Sequence, residues 1–148
     1  MPLDPSGGHS GSVLLHVEEL PAPLVPHAPP LRLAFLVAGG PGQASAASFD
    51  LEDSGRFLQS LLPGYILVVA YDDRATGESG PISCPGLGNV NPAALARNVG
   101  ACGRRLGATR SFYATRENAA DMNAVRRALG VERVTVFGVS YGTKQALA

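Results

Sequence analysis

The chain has 148 residues, 12 basic and 12 acidic, so its formal net charge is zero, which speaks against a nucleic-acid or membrane-surface role. Its length fits one domain or part of one, and 45% apolar residues are enough for a core. No stretch approaches the roughly 20 apolar residues of a membrane-spanning helix, and Met1–Asp4 opens with neither a basic cluster nor an apolar run, so no signal peptide is visible.

Residues 5–11 are turn-rich, and Ser12–Leu20 alternates in part through Val13, Leu15 and Val17, which reads as a strand. Pro21–Pro30 holds five prolines and reads as a loop. A polyproline ligand is one use for it; a linker between strands is the simpler one. Leu31–Val37 is nearly all apolar, as suits a strand covered on both faces. Ser48–Leu62 has helical spacing, with Leu51, Leu58, Leu61 and Leu62 on one face. Ser48 or Asp50 is its expected cap and Pro63-Gly64 its stop. Tyr65–Tyr71 is a second buried strand, followed by a polar turn from Asp72 to Pro81. Pro92, with Asn91 before it, opens a helix that carries Leu95, Val99, Cys102 and Leu106 along one side. Thr115 is the expected cap of another, with Met122, Val125 and Leu129 inward and Gly130 at its end. Eight of the basic residues fall between Arg97 and Arg133, opposed by Glu117, Asp121 and Glu132, and read as a solvated helix face.

Two loops carry chemistry. Val134–Phe137 is β-branched or aromatic and predicts a short buried strand. Gly138-Val139-Ser140-Tyr141-Gly142 then fits G-x-S-x-G, and Gln145, Ala146 and Leu147 favour helix. Strand, tight turn, helix is the setting in which that pattern is a nucleophile elbow, the turn pushing the serine hydroxyl above the sheet; without that setting it is an ordinary glycine-rich connection. Ala38-Gly39-Gly40-Pro41-Gly42-Gln43 follows a buried strand directly. Such a loop bares main-chain amides that can point at an anion or oxyanion, or it is a plain turn. The order β, β, α, β, excursion, α, β, elbow, α predicts a mostly parallel α/β sheet, and both loops follow strands, where the sites of such sheets form.

Gly39–Gly42, the turn containing Asp72, Arg74, Thr76, Gly77, Ser79 and Gly80, and the elbow at Ser140 together resemble the α/β-hydrolase branch of prolyl aminopeptidases and secreted tripeptidyl aminopeptidases. The stretch Tyr113–Gly130, with Asp121, is similar to the helix before their elbow, and Met1–Pro5 to the start of their first strands. The resemblance covers nearly all of this chain but only the first part of a family member. It implies an α/β-hydrolase fold, a mostly parallel sheet with flanking helices, ending here just after the elbow. It implies Ser140 as nucleophile, the Tyr141 and Gly40 amides as oxyanion donors, and Gly39, Pro41, Gly42 and Arg74 as the loop and buttress around them. Ala38 stands where the family often has His or Pro, and Asp73 and Ala75 where it often has Gln and Gly. Secreted members carry a disulfide in the region of Cys84 and Cys102, so that pairing is implied too; two free thiols, Cys102 packed on its helix, is the other reading.

The family order is Ser, then Asp or Glu, then His. After Ser140 only eight residues follow, none acidic or His. His9, His16 and His27 lie upstream and read as surface residues. The chain is therefore expected to be the N-terminal portion of one hydrolase domain, with little or no activity of its own. The function implied is a serine hydrolase acting through an acyl-enzyme, of aminopeptidase type. An esterase or lipase-like hydrolase and a non-catalytic domain binding a partner through its open edge are the alternatives. The substrate is a peptide or a small ester or amide. No metal or other cofactor and no nucleic-acid partner is expected; the compartment is cytoplasmic if the N-terminus is complete, and secreted if a leader precedes it.

Overall fold

Two five-residue strands, β2 (Leu33–Val37) and β3 (Leu67–Tyr71), are buried along their whole length. The computed structural model describes residues 1–21, 32–61 and 67–148; His27, most of the proline loop and the Pro63-Gly64 stop lie outside them. β2 and β3 pair in parallel, and β2 pairs in parallel with β4 (Val134–Gly138) on its other side. β1 (Val17–Pro21) runs antiparallel to β3, giving the order β1-β3-β2-β4. Successive side chains on a strand face opposite ways, and the core divides accordingly. Leu33, Phe35, Val37, Leu67, Val69 and Tyr71 pack with Met122 and Val125 of α4 (Thr115–Ala128). Leu36, Val68 and Ala70 pack on the other face with Leu51, beside α1 (Ser45–Phe49) and α2 (Gly55–Leu61). Phe35 and Tyr71 meet edge to face at 5.8 Å, a favoured aromatic geometry. The expected α/β sheet, mostly parallel and flanked by helices, is the one observed.

Several boundaries differ from those read in the sequence. The strand expected from Ser12 starts at Val17, because Ser12 and Val13 pair back with Pro2 and Met1 in a terminal hairpin. The single helix expected over Ser48–Leu62 is two. Asp50, an expected N-cap, instead ends α1 with a left-handed backbone (φ 47°) and its N–H on Ala46 O, and Leu51 turns into the core between them. Thr115 does not cap α4; Ala114 holds that position without a side-chain bond, and the Thr115 hydroxyl pairs with Tyr141 OH at 2.7 Å. Asn91 does cap α3 (Pro92–Leu106), its Oδ1 accepting from the Ala93 and Ala94 amides. No residue of α3 is fully buried, however, and Val99 is 54% exposed. The helix stands off the sheet, packing on the 3₁₀ turn Gly107–Phe112 that follows it. A Cys84–Cys102 disulfide and a hydrogen bond from Arg105 to Ser83 O tie it to the loop before it. β4, expected to be buried, alternates half-buried and exposed residues, because among the described residues it pairs only with β2.

Candidate active site

β4 keeps its ladder one residue past its end, Val139 N–H donating to Val37 O at 3.0 Å. Ser140 then takes φ 52° and ψ −115°, and α5 (Tyr141–Ala146) begins at once. A serine before a helix commonly turns its hydroxyl onto the first amides. The Ser140 backbone is not in the extended region which that bond needs, and its side chain makes no cap. The residue is exposed, so the hydroxyl is left free at the top of the sheet. The two flanking glycines are required by contact. A β-carbon on Gly138 would strike the Gly142 carbonyl, with Thr143 N only 2.7 Å away; one on Gly142 would strike Val37 O and lie 2.7 Å from Ala38 O.

The glycine loop lies against this turn. A β-carbon on Gly39 would sit 3.0 Å from Ser140 Cβ and 3.0 Å from Gln43 Oε1, so the missing side chain lets the loop, Ser140 and the Gln43 amide converge. Gln43 was not singled out in the sequence; only its place after Gly42 could have drawn attention to it. Gly40 and Gly42 have φ of 107° and 103°, and the Gly40–Pro41 peptide is cis. No hydrogen bond to the Gly40 or Tyr141 amide is present among the described residues, and Tyr141, first in α5, has no carbonyl a turn earlier in its helix to accept its N–H.

Buried polar groups fix both loops. The Ala38 N–H donates to Ser45 Oγ at 3.1 Å, and Asp72 accepts from the Ala46 and Glu78 amides, each at 3.0 Å. One carboxylate therefore joins α1 to the turn after β3. Arg74 in that turn is buried. Its Nε and Nη2 donate to the two oxygens of Asp121 on α4 at 2.7 and 2.6 Å, and its Nη1 to Leu3 O and Phe112 O, each at 2.8 Å. The planar fork suits such bidentate pairing. Arg74 thus braces the turn, the terminal hairpin and α4.

The two described histidines are engaged elsewhere. His9 Nδ1 lies 3.4 Å from Asp4 with its ring edge-on to Phe112, and His16 lies beside Glu18 and Glu78. Among the described residues no group of three or more His, Cys, Asp or Glu side chains is placed to hold a metal ion, and no helix is long and apolar enough to cross a membrane. A groove of 450 Å³ runs between α4, β4 and α5, lined by residues including Met122, Arg126, Val134 and Gln145; Ser140 is not in its lining.

No family model matches the chain, and no curated protein matches it in sequence. Solved structures do. An esterase from Exiguobacterium antarcticum aligns with a TM-score of 0.52 at 21% identity, over 91% of this chain and 35% of that one. A proline iminopeptidase-related protein from Thermus thermophilus aligns with a TM-score of 0.52 at 24% identity, over 93% of this chain and 36% of that one. At these identities the likeness is one of fold: the chain has the architecture of the N-terminal portion of an α/β-hydrolase. It spans about a third of the length of the structures it matches.

Proposed function

We propose that Ser140 is the nucleophile of a serine hydrolase to which this chain contributes the N-terminal portion. The observation that carries the reading is the positive-φ serine between β4 and α5, uncapped, exposed and in contact with the glycine loop. Ser140 Oγ would attack a carbonyl carbon, and the developing oxyanion would take hydrogen bonds from the Tyr141 and Gly40 amides. Such donors matter because charge forms there only in the transition state; losing one commonly costs about 10²–10³ in kcat. Gly39, Pro41 and Gly42 would hold the loop and Arg74 the scaffold beneath it.

Serine also needs a base. Neither described histidine lies at Ser140, His9 pairing with Asp4 and His16 lying beside Glu18 and Glu78, so in this reading the base and its carboxylate partner would be supplied from outside these 148 residues. The 148 residues alone are expected to turn over little or no substrate. The finer proposal is an aminopeptidase-type reaction, an acyl-enzyme on Ser140 releasing an amine and then being hydrolysed. An esterase reading stands beside it, since the fold neighbours include an esterase.

The test is covalent labelling of the longer protein by a fluorophosphonate probe, with the adduct mapped by mass spectrometry. Modification at Ser140, lost in Ser140→Ala, is the expected result; modification elsewhere, or none, overturns it. Turnover of aminoacyl amides against short-chain esters then separates peptidase from esterase.

A further inference from the structure

α5 has six residues, too few to hold a helix in place by its own hydrogen bonds. Its rotation decides where the Tyr141 amide and the Ser140 hydroxyl point, so something outside the helix must set it. Gly142 lies against the Val37 and Ala38 carbonyls, and Tyr141 OH meets Thr115 Oγ1. The third tie is Gln145, one turn further on and 2% exposed. Its Nε2 donates to Asp73 Oδ1 at 2.8 Å and to the Tyr71 hydroxyl, which in turn donates to Asn118 O at 3.2 Å. A single side-chain amide thereby gathers the end of β3, the turn after it, α4 and α5 at one point under the elbow.

This is a costly residue to bury for packing alone. Gln145 Oε1 and Asn118 Oδ1 are buried with no partner among the described residues, and an unpaired buried acceptor is destabilising where an apolar side chain would not be. Both Nε2 hydrogens, by contrast, are used.

We propose that Gln145 is a positioning residue for Ser140: its bonds to Asp73 and Tyr71 fix the rotation of α5 and with it the direction of the Ser140 hydroxyl and the Tyr141 amide. Its catalytic meaning rests on Ser140 being the nucleophile; the mechanical tie does not. Burial makes the Asp73 carboxylate costly and raises its pKa, while the bond from Gln145 works against that shift, so the amide also supports the charge it leans on.

The experiment is hydrogen exchange by mass spectrometry on the 148-residue chain, comparing peptides over 138–147 with peptides over β2 and β3. Gln145→Leu is expected to speed exchange over 138–147 at least tenfold and leave the central strands within twofold. Gln145→Glu, which sets a carboxylate against Asp73, is expected to do the same. Asp73→Asn combined with Gln145→Glu restores a donor and an acceptor with their sense reversed, and is expected to return exchange to within threefold of the parent. No change in Gln145→Leu, equal acceleration of the central strands, or a double variant no better than Gln145→Glu each overturns the proposal. Should Gln145→Leu fail to fold, the double variant decides: a protected elbow supports the tie and an unprotected one refutes it. The hydrolase reading fails separately, by absent labelling of Ser140 in the longer protein with the exchange pattern intact.

Discussion

The Ser140 backbone, at φ 52° and ψ −115°, occupies a region that costs a residue with a β-carbon about 1–3 kcal/mol. Glycine has no such penalty. Ser140→Gly is therefore expected to unfold at higher urea than Ser140→Ala, by about 1 kcal/mol, although both lack the proposed nucleophile; equal stabilities would mean the turn is unstrained. Two carboxyls give opposite pH signs. Asp4 is lowered to about 2, first by the Ser6 hydroxyl, so its contribution is present above the ordinary 3.8 and lost as pH falls toward 2. Asp73 is raised, first by burial, with Asp121 and Asp72 adding to the effect and Gln145 and Tyr71 opposing it. Its contribution is full below 3.8 and lost as pH rises through the folded value. Asp73→Asn should thus remove a fall in stability on the neutral side, and Asp4→Asn one on the acid side, both read from urea midpoints across a pH series. Ser140 was legible because its flanking glycines sit within two positions of it. Gln145 was not, because its partner Asp73 lies 72 residues earlier and no local pattern links them.

Elements are held to one another here by a few buried polar groups as well as by the apolar core. Arg74 and Asp121 join the turn after β3 to α4 with both partners almost fully buried. Removing one member of such a pair strands the other, at about 3–5 kcal/mol, whereas replacing both with apolar residues is far milder. Arg74→Met is expected to lower unfolding stability by that amount and Arg74→Met with Asp121→Leu to recover most of it; an additive loss would show that the pair is not coupled. The α3 excursion is attached differently. It has no fully buried residue, and its disulfide closes a separation of 18 residues, worth about 3 kcal/mol of loop entropy. Reduction should quicken amide exchange over residues 83–106 and leave the central strands unchanged. Both features bear on what sequence could show. The apolar spacing of α3 marks it as helical, but spacing does not say whether a sheet lies beneath it. The Ser48–Leu62 pattern, likewise, fits one amphipathic helix as well as two short ones, because Leu51 reaches the core either way.

At the scale of the molecule, the two buried strands and the helix-covered sheet were legible because continuous apolar runs such as Leu33–Val37 have few other uses. The lateral order β1-β3-β2-β4 was not, since strand adjacency is a tertiary choice. That order leaves β4 with one described neighbour and with Phe137 48% and Val139 45% exposed. A strand that ends a sheet with apolar side chains exposed is a template for association. The 148-residue chain is expected to sediment as oligomers at micromolar concentration and to revert toward monomer when Phe137→Lys replaces an exposed apolar side chain on that strand with a charge; a monomeric parent would count against the edge being open. A further point follows from where the serine is mounted. It follows β4, which among the described residues hydrogen-bonds to the sheet through β2, and the helix after it is held back to β3 and α4 by the side chains of Gln145 and Tyr141. Mild heating or a single proteolytic nick there is expected to release the elbow while the interior still gives a native circular-dichroism signal, so loss of the Ser140 geometry and loss of the fold would become separate events.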